Sequence, residues 1–379
     1  MVINRALFPI IQRYIGRNKV LLIKGARRTG KTFLLDKILA SYSGKYLKLN
    51  GELPEVQAML AGKNLSMYRN LLGNARLLAI DEAQSVREIG QILKIIIDHF
   101  PDVTIIATGS SSFDLINKTG EPLTGRQLQF TLFPVAQLEL SEHENPIETR
   151  QKLEERMIYG SYPEVINLEG ANEKKRYLTE LTTSYLLKDI LQFEQVRNSH
   201  KLLQLLQLLA YQAGQEVSNH ELAKSLGVKH DTVARYLDLL SKVFIIYSIG
   251  AYGRNLRKEV VKSLKWYFVD NGIRNAIINN FSLLSQRNDA GQLWESYLMS
   301  ERMKRNSYKE LHIRSFFWRT YDRQEIDLIE EKDGKAEAFE FKWKAGRVKP
   351  PVFFRKNYPD VPFSVITPDN YQDFIGKTD

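Results

Sequence analysis

The 379-residue sequence contains no cysteine and only 6 histidines, which excludes a disulfide framework and a thiolate zinc site and leaves little for imidazole ligation. Long apolar runs are also missing. A bilayer-spanning helix needs roughly 20 consecutive apolar residues, whereas the longest stretch here, between Val243 and Tyr252, contains Ser248 and Gly250. The start of the chain has Arg5 and Arg13 around a short apolar segment, without the small-residue cleavage pattern of a secretory signal. These absences predict a cytoplasmic chain with no membrane partner. No repeat period and no low-complexity tract is found.

What is present is the composition of a folded protein, 43% hydrophobic and 26% charged, in a chain too long for one ordinary domain. Lys and Arg number 54 against 44 acidic residues, a net charge of +10. That surplus favours polyanions and makes DNA a candidate partner, although the same charge spread over a large surface also serves solubility.

Apolar segments at residues 19–24, 45–49, 77–80 and 103–108 read as strands, with helical spacing after residue 31 and over 89–100. Strands alternating with helices predict a mostly parallel sheet covered on both faces. The polar stretch SEHENPIETR at residues 141–150 marks a boundary. Helices are expected over 151–209, with a break at 160–163, then short helices and the strand VFIIYSI, and alternating strand patterns over 311–345. The expected fold class is α/β, in four parts: a nucleotide-binding sheet domain at 1–140, a helical lid at 141–200, a winged helix-turn-helix at 201–265, and an α/β nuclease-like domain at 266–379.

Gly25-Ala26-Arg27-Arg28-Thr29-Gly30-Lys31-Thr32 fits G-x-x-x-x-G-K-[ST], the phosphate-binding loop or Walker A motif, between a strand and a helix as its mechanism requires. Glycines let backbone N–H groups face an anion, Lys31 reaches the outer phosphates, and Thr32 supplies an oxygen to Mg²⁺. The expected ligands are therefore ATP or ADP with Mg²⁺. The apolar LLAI ends in Asp81 and Glu82, read as a metal-shell carboxylate at the end of a neighbouring strand and the group that polarises the attacking water. Ser110 is the candidate sensor of the terminal phosphate. Arg126 is the candidate source of transition-state charge, from the same chain or a neighbouring copy, with an ordinary surface arginine as the alternative.

Further along, helical segments over 202–212, 219–226 and 230–240, with a turn at Gly227, have helix-turn-helix spacing. Lys229, His230, Thr232 and Arg235 would lie at the exposed start of the third helix, where a recognition helix meets DNA. Arg254, Arg257, Lys258, Lys262 and Lys265 would form a basic wing against the phosphate backbone. Packing between domains is the competing use of such a module. WRTYDRQEIDLIE and AEAFEFKWK read as two strands around the Asp333-Gly334 turn, with Glu340 and Lys342 on one face and Asp327 on the partner. Glu295 joins them from a helix. This acid, acid, Glu-x-Lys set resembles that of the PD-(D/E)-x-K nucleases, whose carboxylates hold Mg²⁺. Glu-x-Lys also occurs at Glu173-Lys175 and Glu330-Lys332, so spacing alone does not select the site.

The set GARRTGKT, LLAIDEAQ, IIATGSSSFDL and LTGR followed by FPVAQLEL resembles AAA+ type ATPases of bacteria and archaea that carry a conserved C-terminal domain. YGSYPEVI, YLLKDIL and WYFVDNGIRNAI resemble motifs of that C-terminal region, so the resemblance spans nearly the whole chain. It implies an ATPase switch, either coupled to a DNA-binding half, regulating a DNA nuclease, or acting on a protein partner, with homo-oligomers as one form of assembly.

Overall fold

The strands β1 (Val20–Lys24), β3 (Leu77–Asp81) and β4 (Thr104–Gly109) are buried at nearly every position, the pattern of strands covered on both faces. With β2 (Tyr46–Asn50) and β5 (Gln127–Thr131) they form a five-stranded sheet in the order β2-β3-β4-β1-β5. Every pairing in it is parallel. β2, at one edge, alternates exposed and inward positions and buries only Leu49 fully. The helix Ile89–His99 turns Ile92, Leu93 and Ile96 into the core on one sheet face.

This is a computed structural model, and it describes residues 1–110, 123–186, 199–253, 263–320, 322–344, 346 and 348–376. The chain divides into two units, Met1–Pro134 with Lys242–Phe244, and Val135–Ser241 with Ile245–Asp379. Among the described residues no helix is long and apolar enough to cross a membrane.

Two strand expectations in the first unit need correction. The strand that carries Asp81 is not next to the strand that carries the loop, because β4 is inserted between β3 and β1. The strand β5 was not anticipated: QLQFT has two glutamines in five residues, and as an edge strand it buries no position fully.

The second unit has a seven-stranded sheet in the order β12-β11-β10-β9-β7-β8-β6. Its strands are β6 (Glu216–Val217), β7 (Ile246–Ala251), β8 (Leu264–Phe268), β9 (Arg314–Arg319), β10 (Glu325–Lys332), β11 (Lys335–Phe341) and β12 (Phe363–Ile366). β7 pairs in parallel with β9, so the sheet continues through the boundary expected at residue 265. Residues 318–330 are not one strand. A turn closed by Thr320 N–H to Gln324 O (2.9 Å) separates β9 from β10, which pair antiparallel. The hairpin expected at Asp333-Gly334 does form: both residues have positive φ, +51° and +76°, and Lys332 pairs with Lys335.

Two of the sequence motifs are packed against each other. Asp270 caps the helix Asn271–Ile277 through Gly272 N–H (2.8 Å) and Ile273 N–H (3.2 Å), and also accepts from Ser161 N–H (2.7 Å). Asn275 donates to the carbonyls of Met157 (3.3 Å) and Ile158 (2.8 Å), closing the end of the helix Leu153–Tyr159. A Cβ on Gly160 would lie 2.0 Å from the Asp270 carboxylate, and one on Gly272 2.1 Å from the Tyr159 carbonyl. The glycines and the Asp-Asn pair in YGSYPEVI and DNGIRNAI are thus accounted for by a close backbone approach. Most of YLLKDIL lies outside the described residues.

Candidate functional site

The turn between β1 and the helix Lys31–Ala40 has two residues in left-handed backbone, Arg28 (φ +66°) and Gly30 (φ +93°), the latter as the helix N-cap. Glycine is needed more strictly at Gly25, where a Cβ would sit 2.1 Å from the Leu132 carbonyl oxygen. That contact follows from the pairing of β1 with β5, in which Leu132 N–H donates to Lys24 O (2.7 Å). Lys31 is buried at 4% exposure and donates to the Gly25 and Ala26 carbonyls, 3.1 Å each. Thr29 Oγ1 closes the turn onto Ala26 O at 2.9 Å. Ala26 is buried, Arg27 is half-buried and Arg28 exposed.

Thr32, on the first turn of the helix, donates through Oγ1 to Asp81 Oδ2 at 2.8 Å. The inserted strand makes this reach ordered rather than accidental: Thr108 on β4 donates to the other Asp81 oxygen and accepts the Glu82 N–H at 3.1 Å. Glu82 has left-handed backbone (φ +47°), which turns the chain at the strand end, and its carboxylate accepts from the Gln84 amide. Ser110 follows β4, whose Gly109 is level with Lys24 of β1, and is buried at 9% exposure. Ser111 and Ser112 lie outside the described residues.

Arg126 does not join this group. It precedes β5, and Gln127 pairs with Val20 at the far end of β1, about five residues or 16 Å of strand from the loop. Its Nε donates to Asp98 (2.6 Å), and it is half-buried. The structure thus does not bring Arg126 to its own chain's loop. Conversely, sequence reasoning missed Arg5. This residue is buried at 5% exposure and donates to the carbonyls of Thr29 and Phe133, 2.6 Å each. No motif pointed to it, because its partners are backbone atoms 24 and 128 positions away.

The loop suits a polyphosphate with a divalent cation. Its buried ammonium, its turn closed by side chains onto carbonyls, and a hydroxyl joined to a carboxylate are donors and acceptors of the right kinds.

In the second unit each predicted acid is held by a different donor. Tyr267 donates to Glu295 Oε1 at 2.6 Å, Phe341 N–H to Asp327 Oδ2 at 2.7 Å, and Lys342 to Glu340 Oε1 at 2.7 Å. Burial, reinforced by the Glu295 and Glu340 carboxylates, pushes Asp327 well above the usual aspartate range. Burial also raises Glu295, against the pull of Lys265 and Tyr267. Lys342 is held above its ordinary value because Glu340, Asp327 and Glu295 outweigh its burial. The competing Glu330-Lys332 pair is committed elsewhere: Arg302 Nη2 donates to Glu330 at 2.6 Å and Asn306 at 2.6 Å. Among the described residues no three acidic or imidazole groups stand close enough together to hold a metal ion.

Lys265 corrects the expected wing. It is 1% exposed, ion-paired with Glu325 and 3.5 Å from Glu295, so it cannot touch a DNA backbone. Burial favours its neutral form, but Glu295, Glu325 and Asp327 overcome this and raise it above the usual lysine value. β8 is paired on both sides and is buried continuously from Lys265 to Phe268, so both of its faces are covered and Lys265 is enclosed despite its charge. Lys229, His230 and Arg235 are exposed at the start of the helix His230–Lys242, and Thr232 is half-buried. Arg254, Arg257, Lys258 and Lys262 lie outside the described residues.

Residues 17–141 match the AAA domain family. Residues 150–284 and 290–371 match two domains of unknown function, DUF8612 and DUF4143. An uncharacterized protein of Mycobacterium tuberculosis is 26% identical over 335 residues, which cover 88% of this chain and 72% of the relative. An uncharacterized protein of Methanocaldococcus jannaschii is 23% identical over 331 residues, 82% of this chain and 72% of its own. Among solved structures, the Walker-type ATPase PABY2304 of Pyrococcus abyssi is similar with a TM-score of 0.48 and 16% identity, over 73% of this chain and 96% of that one. The AAA domain match contains every residue of the loop, Asp81, Glu82 and Ser110.

Proposed function

We propose that the chain is a Mg²⁺-dependent ATPase whose nucleotide state switches the conformation of its remaining residues. The observation that carries this reading is the pairing of Thr32 with Asp81 at 2.8 Å beside a loop that already buries Lys31. Backbone N–H groups of residues 25–32 bind the phosphates, Lys31 offsets their charge, and Thr32 and Asp81 are the residues that would hold Mg²⁺. The cation supplies charge neutralisation on the phosphoryl oxygens. Glu82, turned by its left-handed backbone at the end of β3, polarises the attacking water. Ser110, at the end of the strand between β1 and β3, contacts the terminal phosphate. Arg126, in this reading, would serve a neighbouring copy within a homo-oligomer. An ATPase assay on wild type and Lys31→Ala, with and without DNA, tests it. Turnover that survives Lys31→Ala, or no turnover in wild type, would overturn the assignment.

A second reading gives the second half of the chain a DNA-directed role, and the mutual electrostatic influence of Glu295, Asp327, Glu340 and Lys342 favours it. The order helix, strand, helix, helix, strand, strand in residues 199–268 fits a winged helix-turn-helix, with Lys229, His230, Thr232 and Arg235 exposed to or near solvent for DNA. The segment from helix Ala290–Tyr308 through β9, β10, β11 and β12 fits a nuclease-like core. Arg254, Arg257 and Lys258, outside the described residues, add positive charge to this stretch of the sequence. Incubating supercoiled DNA with Mg²⁺ or Mn²⁺ separates cleavage from binding. Nicking by wild type but not by Glu340→Ala supports a nuclease. DNA-stimulated ATP turnover without nicking supports a binding module, and the absence of salt-dependent DNA binding supports a protein partner.

A further inference from the structure

The phosphate-loop motif specifies glycines, a lysine and a hydroxyl, yet a buried arginine outside it grips the loop's backbone. Arg5 donates through one terminal nitrogen to Thr29 O and through the other to Phe133 O, both at 2.6 Å, with 5% of its surface exposed. Bonds from an ionised donor inside a protein are strong and directional. A trans peptide unit is planar, so its C=O and the N–H of the next residue point to opposite sides. Holding Thr29 O therefore fixes the direction of Gly30 N–H. Gly30 itself has φ +93°, a backbone region in which glycine is free to take other conformations as well.

The same logic applies elsewhere in the loop. The Gly25 and Ala26 carbonyls are engaged by Lys31 and the Ala26 carbonyl also by Thr29, which turns the N–H groups of Ala26 and Arg27 to the opposite sides. Those two carbonyls are tied by residues of the motif. Thr29 O is tied by Arg5, so this peptide unit draws its orientation from outside the loop. A carbonyl oxygen facing an anion repels it, whereas an N–H attracts it, so one flipped peptide exchanges attraction for repulsion.

We propose that Arg5 is a positioning residue of the nucleotide site: it orients the Thr29–Gly30 peptide so that the Gly30 amide faces the phosphates, and braces the loop against Phe133 at the exit of β5. The proposal rests on the reading of residues 25–32 as the nucleotide site. Two diverging donors are needed to bridge two carbonyls, a task that suits the guanidinium fork and that a single ammonium performs poorly.

The test uses the full chain as wild type, Arg5→Ala and Arg5→Lys. Binding of a fluorescent ATP analogue with Mg²⁺ is measured together with the thermal midpoint, with and without ATP. Arg5→Ala is expected to bind about tenfold more weakly and to lose most of the ATP-induced rise in midpoint, and Arg5→Lys to fall between. Low millimolar guanidinium chloride is expected to restore part of the binding to Arg5→Ala, while equal concentrations of sodium or ammonium chloride do not. A lowered midpoint without ATP but unchanged affinity would mean that Arg5 only holds the fold, and the proposal fails. If Arg5→Ala does not fold, Arg5→Lys decides: wild-type affinity overturns the proposal, and weakened binding at a retained midpoint upholds it. Wild type that binds no nucleotide removes both the nucleotide reading and this proposal, an outcome distinct from wild-type binding with indifferent Arg5 variants, which removes the proposal alone.

Discussion

Thr32 Oγ1 meets Asp81 Oδ2 at 2.8 Å although β4 separates the strands that lead to them, because Thr108 on that strand holds the opposite Asp81 oxygen. The carboxylate is thereby fixed in one orientation from two sides. Asp81→Asn keeps the shape but removes the charge, so binding of ATP with Mg²⁺ is expected to weaken by about tenfold or more, equivalent to about 1.4 kcal/mol. Binding in excess chelator is expected to change little. Titrations of ATP with and without Mg²⁺ check this, and an equal loss in both conditions would contradict a metal-linked role.

Glu82 stands one residue further, where its left-handed backbone carries it past the strand end, and its carboxylate accepts from Gln84. Glu82→Gln removes the basic oxygen while keeping the size. Turnover is expected to fall by about 10²- to 10⁴-fold, with ATP affinity within about twofold of wild type. Steady-state rates and equilibrium binding on the same preparation distinguish this from a loss of binding.

At Gly25 the expected effect comes from the backbone rather than from chemistry. A methyl group there would lie 2.1 Å from the Leu132 carbonyl oxygen, which is itself part of the β1–β5 seam. Gly25→Ala is expected to cost about 1–3 kcal/mol or more of stability and to abolish nucleotide binding. Thermal unfolding and ATP binding together check it, and a normal midpoint with normal binding would contradict the geometry.

The loop, its acids and four of the five parallel strands were legible because local rules decide them: a glycine pattern between a strand and a helix, and apolar runs ending in carboxylates. Three features were not. The insertion of β4 between β1 and β3 depends on strand pairing over tens of residues. The burial of Lys265 depends on β8 being covered on both faces, and a charge in a basic stretch reads from sequence as solvent-facing. Arg5 bonds only to carbonyls, which every residue carries, so no residue type marked its partners. In the second unit, spacing alone did not distinguish Glu340-Lys342 from Glu330-Lys332, and only the structure shows that Arg302 and Asn306 occupy Glu330.

Lys265 joins acids from two elements, Glu325 of β10 and Glu295 of the helix Ala290–Tyr308, while almost wholly buried. Removing it takes away the buried cation that Glu325 and Glu295 share and that offsets Asp327. Lys265→Met is expected to lower stability by about 3–5 kcal/mol, the usual cost of breaking one side of a buried pair. Adding Glu325→Gln to that variant is expected to recover part of the loss. Denaturant unfolding of the single and double variants checks this, and additive effects would mean that the pair is not coupled.

Asp289 receives Arg287 Nε at 2.7 Å and Arg274 Nη1 at 2.6 Å with only 15% of its side chain exposed. Burial opposes its ionisation, but the two guanidiniums prevail and hold it at about 2, against 3.8 for a free aspartate. Because the folded value is the lower one, this carboxylate adds stability above the unfolded value, about 2 kcal/mol at neutral pH for a shift of this size. That contribution fades as pH falls through 3.8 and is gone below about 2. Asp289→Asn should therefore be less stable than wild type at pH 7, and the difference should shrink as the pH is lowered between these two values, as far as the wild type remains folded. Urea unfolding of both proteins across that range measures it, and a difference independent of pH would show that the asparagine loses shape or packing rather than charge.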